Sequence, residues 1–113
     1  MKEWIKIAGS PDEFLWNDRD LVEIEAAGRS FCLARHDGKL FALAPKCPHA
    51  SGRFVHGVID GQGNVVCPLH RYKFCLANGR NVSGEGYYLK RWPVDVRNDG
   101  VYLELQQGVF GPG

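Results

Sequence analysis

Short stretches in which side chains at alternate positions differ in character recur along the chain. They run from Val22 to Glu25, from Phe31 to Ala34 and from Val101 to Leu105. A period of two places successive side chains on opposite faces of a strand. We therefore expect strands with one face buried and one face closer to solvent.

Turn signals separate these stretches. They are Ala27-Gly28-Arg29, Asp37-Gly38, Asp60-Gly61, Asn78-Gly79 and Asp99-Gly100. Several suit the positive φ angles of tight hairpins, so the fold class predicted is all-β, an antiparallel sandwich or barrel. One helix start is predicted at Ser10-Pro11-Asp12-Glu13, with Ser10 and Glu13 as a capping box; we expect at most two turns.

Length and composition indicate one ordinary domain. The chain has 113 residues, 44% of them hydrophobic and 24% charged, and it contains no internal repeat. We expect a single domain over residues 1–107 and a loose, Gly-rich tail over 108–113. The formal net charge of +1 gives no general attraction to nucleic acid or to anionic membranes.

The N-terminal segment has frequent charges and no apolar run long enough for a signal peptide or a membrane span, so we expect a cytoplasmic protein. In a reducing compartment, four cysteines favour metal ligation over disulfides.

Two short segments combine a thiol with an imidazole. They are Cys47-Pro48-His49 and, after 17 intervening residues, Cys67-Pro68-Leu69-His70. Thiolate and neutral imidazole are ligands that iron and zinc accept. Because each segment supplies one ligand of each kind and no helix follows, the pattern favours a two-iron centre over a common zinc finger, although one zinc could take all four ligands.

These segments resemble the Rieske family, whose signature is C-x-H followed by C-x-x-H. The resemblance extends through Phe74 and Asn78-Gly79 to residues 89–94, which look like the family's proline-containing segment that approaches the metal cluster. It implies a small antiparallel β base and a cluster-binding subdomain with loops at about residues 45–75. It also implies one [2Fe-2S] cluster and a role in electron transfer rather than catalysis. The ligands implied are Cys47 and Cys67 on one iron, and His49 and His70 on the other.

The chain departs from the respiratory and photosynthetic members at four positions. Gly52 and Leu69 stand where those proteins carry a disulfide, Tyr72 stands at a serine position, and Arg71 stands at a common glycine position. Fewer hydrogen bonds to the sulfides destabilise the reduced state. We therefore expect a reduction potential of around −150 mV, the low end of the Rieske range.

The resemblance implies a monomeric ferredoxin that docks transiently on a flavin-dependent reductase and on a terminal oxygenase. The alternatives are a small subunit of a larger oxidoreductase, such as an assimilatory nitrite reductase, and a structural zinc or regulatory metal domain. Between Lys39 and Gly84 the only acid is Asp60, whereas the bases are Lys39, Lys46, Arg53, Arg71, Lys73 and Arg80. Such a basic end either steers the carrier toward acidic partners or is an ordinary solvated surface.

Other cysteine, histidine and aromatic residues receive less specific interpretations. We expect Cys32 and Cys75 to be unliganded thiols, because each lies in an apolar strand-like stretch. We expect His36 and His56 to be exposed loop residues. Tyr72 and Trp92 are the candidates for shielding the cluster from water.

Overall fold

The computed structural model describes residues 2–48, 52–84 and 88–106, so the predicted tail over 108–113 lies outside the described residues. Ten strands form within these ranges: β1 Lys2–Ala8, β2 Leu21–Ala26, β3 Arg29–His36, β4 Lys39–Leu43, β5 Val58–Ile59, β6 Asn64–Val66, β7 Lys73–Cys75, β8 Arg91–Trp92, β9 Val94–Arg97 and β10 Gly100–Gln106. Single turns of 3-10 helix span Pro11–Glu13 and Phe54–His56. The predicted all-β class is confirmed. Among the described residues, no helix has the length and apolar character needed to cross a membrane.

The strands form three antiparallel sheets. Their orders are β1-β10-β9, β2-β3-β4-β8 and β5-β6-β7. The first two sheets form the base, and the third lies in the chain segment that carries the two Cys/His motifs.

Two predicted hairpin turns have the expected backbone. Ala27-Gly28 joins β2 to β3 with φ angles of 53° and 74°, and Asp37-Gly38 joins β3 to β4 with the same pair of values. Positive φ at both central residues matches the twist of the flanking strands. In the turn that joins β5 to β6 the positive φ lies at Gly63, two residues after the predicted Asp60-Gly61.

The predicted helix start at Ser10 is wrong in its details. Only one 3-10 turn forms, and the Ser10 side chain makes no capping hydrogen bond. The Glu13 carboxylate accepts a hydrogen bond from the N–H of Gly9, at 3.0 Å, instead of from Ser10. A three-residue turn is too short to align the reciprocal bonds of a capping box.

The central sheet separates two apolar cores. Phe31 and Leu33 of β3 point into a core shared with β10, while Cys32 and Ala34 point into a core shared with the Cys/His segment. Residues 31–34 of β3 are therefore buried on both faces, although alternation predicted a half-buried strand. The reason is tertiary: each face of this strand is covered by a different part of the chain.

We call the core beside the Cys/His segment the cluster-side core. Its buried members are Leu21, Cys32, Ala34, Leu43, Cys47, Phe54, Val65, Cys67, Phe74, Leu76 and Leu89. It joins both motif cysteines to the base sheet, so the motif loops are anchored by burial of apolar surface rather than suspended from the fold.

Candidate metal centre

Each motif lies in a loop that leaves the end of a strand. The first loop follows β4 and contains Cys47, while the second begins directly after β6 and contains Cys67 and His70. The short strand β7 carries the chain back from the second loop. Because β5-β6-β7 pack on the cluster-side core, they bring together motifs that are separated by 17 residues in sequence.

The two loops are closed by the same backbone hydrogen bond. The N–H of Cys47 donates to the carbonyl of Gly52, and the N–H of Cys67 donates to the carbonyl of Tyr72, both at 2.8 Å. In each loop the donor therefore precedes the acceptor by five residues. This repeated geometry presents two equivalent thiols from two independent segments.

The thiols of Cys47 and Cys67 lie side by side, within hydrogen-bonding contact of each other. Both residues are buried. Burial raises the pKa of the Cys67 thiol, and the Cys47 thiol raises it further, against hydrogen bonds from the backbone of Leu69 and Gly52. Metal ligation removes these protons, because a bound cation stabilises thiolates that burial alone disfavours.

The second motif histidine, His70, is exposed. Its ring lies edge-on to the ring of Tyr72, with centroids 6.2 Å apart and an interplanar angle of 66°. Tyr72 in turn packs against the cluster-side core. The second loop thus points its thiol inward and its imidazole toward solvent.

The first motif histidine, His49, lies outside the described residues. Within the described ranges, no group of three or more His, Cys, Asp or Glu side chains is arranged to hold one metal ion. Of the predicted ligands, the structure brings together the thiols of Cys47 and Cys67, and it places His70, exposed, in the same loop as Cys67.

The donor set fits a Rieske-type cluster. Two buried, adjacent thiols from separate loops can ligate one iron. The exposed imidazole of His70 lies in the same loop as the Cys67 thiol. The surrounding side chains are apolar: Phe54 and Phe74 pack edge to face at 5.9 Å in the same core as the cysteines. Such a wall excludes water from one side of the thiols.

An ion pair fastens the first loop to the base. The Arg53 guanidinium donates two hydrogen bonds to the Glu23 carboxylate on β2, at 2.8 and 3.0 Å. The hydrogen bond and charge of Glu23 raise the pKa of Arg53. The backbones of Lys46 and Arg53 also form an isolated antiparallel bridge. Because these residues flank the first loop, the bridge and the ion pair together hold both of its ends.

Gly52 and Leu69, the positions compared above with the disulfide of respiratory and photosynthetic proteins, are neighbours in space. A Cβ built on Gly52 would lie 3.5 Å from the Cβ of Leu69. This separation is within the range that disulfides span. None of the four cysteines forms a disulfide in the structure.

Three expectations about other residues have mixed outcomes. Cys32 is buried and Cys75 is half-buried in β7. His56 is exposed, as predicted, but His36 ends β3 and its side chain is only 25% exposed. Trp92 does not shield the thiols: it packs against Phe31 in the core on the other side of the central sheet.

Sequence reasoning missed Arg53 as a support of the site, whereas it placed Leu89 in a segment expected to approach the cluster. Leu89 is buried in the cluster-side core, and its N–H donates to the carbonyl of Gly79, at 2.8 Å. A surface arginine carries no local signal of such a role, because its contact with Glu23 joins residues distant in sequence.

Comparisons with known proteins agree with this geometry. Residues 3–90 match the model of the family described as the Rieske [2Fe-2S] domain. The ferredoxin subunit of a 3-phenylpropionate/cinnamic acid dioxygenase from Photorhabdus laumondii is 30% identical over 76 residues, which cover 66% of this chain and 72% of that protein. The ferredoxin component of an alkene monooxygenase system from Xanthobacter autotrophicus is 24% identical over 101 residues, covering 89% of this chain and 80% of that protein.

Solved structures share the fold. A Mycobacterium tuberculosis protein assigned as the small subunit of an NADH-dependent nitrite reductase superposes with a TM-score of 0.80 at 17% identity, covering 96% of this chain and 99% of that one. The ferredoxin of carbazole 1,9a-dioxygenase from Nocardioides aromaticivorans superposes with a TM-score of 0.73 at 17% identity, covering 88% and 95%. At these identities the likeness establishes the fold and leaves the role open.

Proposed function

Since the chain belongs to the Rieske [2Fe-2S] domain family and carries one Rieske-type cluster, we propose that it is the ferredoxin component of an oxygenase system. In this role it passes single electrons from a flavin-dependent reductase to a terminal oxygenase. The observation that carries the proposal is the pair of adjacent, buried thiols supplied by two equivalent loops, with an exposed imidazole at the end of the second. The related dioxygenase and monooxygenase ferredoxins support the oxygenase partner.

The proposed ligands are Cys47 and Cys67 on one iron, and His49 and His70 on the other. The contact between the thiols supports the first pair. The exposure of His70 supports the second, because an imidazole-bound iron at the surface lies close to a docked partner. When bound, the cluster supplies one electron of storage at a potential that the ligands and their surroundings set.

The protein's own residues would have three tasks in this transfer. Cys47 and Cys67 hold the metal on the buried side, while Phe54, Phe74 and Leu89 keep that side dry. His70 offers an imidazole edge to solvent, and Tyr72 fixes its surroundings through their edge-on contact. The Glu23–Arg53 pair limits the movement of the first loop, which keeps the structural change on electron transfer small.

The ligand assignment is tested by electron paramagnetic resonance (EPR) of the dithionite-reduced protein, together with assays of iron, sulfide and zinc. We expect two irons per chain and a rhombic signal whose average g lies below that of all-cysteine clusters. His70→Ala and Cys67→Ser should lose this signal. Cys32→Ser and Cys75→Ser are the matched controls and should keep it, because these thiols lie elsewhere in the strands.

Two results would contradict the proposal. A colourless protein with one zinc per chain would make this a structural metal domain. A His70→Ala variant with an unchanged Rieske signal would remove His70 from the ligand set.

Free carrier and fixed subunit can also be separated. A ferredoxin should be isolated without a large partner and should restore electron flow to an oxygenase when it is added at micromolar concentration. A small subunit of a nitrite reductase should instead copurify with the large subunit in a constant ratio, because lasting interfaces bury more surface than transient ones.

A further inference from the structure

Arg71, the residue after His70, has an unusual backbone. Its φ is 59°, in the left-handed region that non-glycine residues seldom occupy. Its N–H donates to the carbonyl of Leu69, at 2.6 Å, so the left-handed conformation belongs to a tight turn around His70. Any side chain at this position adds strain that glycine would avoid.

The other non-glycine residues with positive φ in the described ranges have local reasons for it. Ala27 and Asp37 precede glycines in two-residue hairpin turns. Asp20 pairs with Arg35 through its carboxylate, with a closest N–O distance of 2.7 Å. In the described part of the chain, the Arg71 guanidinium makes no hydrogen bond or ion pair that would offset the strain in the Arg71 backbone.

Arg71 lies in an exposed stretch of a chain segment that is rich in basic residues. Leu69, His70 and Arg71 are all exposed, and Leu69 retains 49% of its accessible surface. Lys46, at the start of the first loop, and Arg80, beyond β7, are exposed as well, and neither forms a salt bridge within the described ranges. Asp60, the only acid between Lys39 and Gly84, accepts hydrogen bonds from Asn64 and Gln62 and lies 3.7 Å from Lys73.

We propose that Arg71 is a specificity residue at the electron exit, whose guanidinium selects a protein partner with an acidic electron-accepting face. This inference rests on the proposed function, since it takes His70 as the exposed ligand. A unit charge placed one residue from His70 attracts an acidic partner into the orientation that brings its acceptor nearest the cluster. The strained backbone is retained because glycine would supply the turn without the charge.

The test uses small oxidants of opposite charge as probes of the exit. One electron passes from the reduced holoprotein to hexacyanoferrate(III), which becomes hexacyanoferrate(II), or to tris(phenanthroline)cobalt(III), which becomes the cobalt(II) complex. Stopped-flow rates are measured under anaerobic conditions at 10 mM and at 500 mM ionic strength. The variants are Arg71→Gln, which removes the charge, Arg71→Lys, which keeps it, and Lys6→Gln, a matched loss of one exposed charge on β1.

We expect Arg71→Gln to slow oxidation by the anion about fivefold at 10 mM ionic strength. This is the factor for losing one unit charge roughly 10 Å from a trivalent ion in water with little screening. Oxidation by the cation should accelerate by a similar factor. Arg71→Lys should resemble the wild type, and the differences should vanish at 500 mM.

The proposal is overturned if Arg71→Gln changes the rates no more than Lys6→Gln, or if its effect persists at high salt. Every variant is first checked for two irons and a Rieske EPR signal. Absence of that signal from the wild type would sink the proposed function, whereas a normal signal with insensitive rates would remove only the role of Arg71.

Discussion

Among the glycines that the structure describes, Gly79 alone combines a positive φ with a close approach of another backbone segment. Its φ is 78°, and a Cβ at this position would run into the carbonyl oxygen of Leu89. The approach cannot relax easily, because the N–H of Leu89 donates to the Gly79 carbonyl and Leu89 is buried beside the motif cysteines. Gly79→Ala should therefore strain the backbone and also push the segment at Leu89 away from the core.

Two further glycines separate these effects. Gly38 has a φ of 74° with nothing within 4 Å of an added methyl group, and Gly61 has neither a positive φ nor a neighbour within 4 Å. Gly61→Ala should be neutral, or more stable by about 0.4–1 kcal/mol through a lower entropy of the unfolded chain. Gly38→Ala should lose about 1–2 kcal/mol from the left-handed backbone.

Gly79→Ala should lose about 2–5 kcal/mol, because overpacking adds to the backbone strain. Urea unfolding of the holoprotein under anaerobic conditions, followed by tryptophan fluorescence, measures the three midpoints. With a urea dependence of about 1–3 kcal/mol per molar, the Gly79→Ala midpoint should fall by roughly 1 M or more. Because the cluster is lost on unfolding, the order of the three midpoints is the quantity to compare.

The reasoning fails in either of two ways. Equal midpoints for Gly79→Ala and Gly38→Ala would mean that the segment at Leu89 yields without cost. Equal midpoints for Gly38→Ala and Gly61→Ala would mean that the positive φ carries no penalty.

Two titratable groups give further predictions. Burial opposes ionisation of Asp60, but hydrogen bonds from Asn64 and Gln62 and the charge of Lys73 outweigh it and lower the pKa below 3.8. At pH values above 3.8 this carboxylate stabilises the fold, and the stabilisation is lost as the pH falls through its lowered pKa. Asp60→Asn should therefore flatten the decline in unfolding midpoint between about pH 5 and 3. An unchanged decline would contradict this expectation. Burial and the charge of Glu23 raise the pKa of Cys32 to about 12, so its thiol should resist iodoacetamide in the native protein at about pH 8 while half-buried Cys75 is alkylated first. Peptide mass spectrometry measures both sites, and comparable labelling of Cys32 and Cys75 would refute the expectation.

A feature of the site could be predicted from the sequence only where it depends on residues close together along the chain. The two Cys/His motifs are recognisable because residue identity and short spacing are enough to indicate which side chains can act as metal ligands. The contact between Cys47 and Cys67, in contrast, depends on the packing of β5-β6-β7 against the base, which no local pattern reports. The assignment of His49 stays a prediction, since that residue lies outside the described ranges.

By itself, the sequence determined the antiparallel β class and the two-residue hairpin turns, because these follow from side-chain alternation and local φ preferences, and it predicted the ligand types from donor chemistry within a few residues. Only the tertiary structure decided that β3 is buried on both faces, that Trp92 packs on the far side of the central sheet, and that Arg71 adopts a strained turn beside His70. The first two features arise from contacts between segments distant in sequence, whereas the turn at Arg71 is closed locally by its hydrogen bond to Leu69. Long-range packing overrides or adds to local preference where different parts of the chain cover the two faces of one strand.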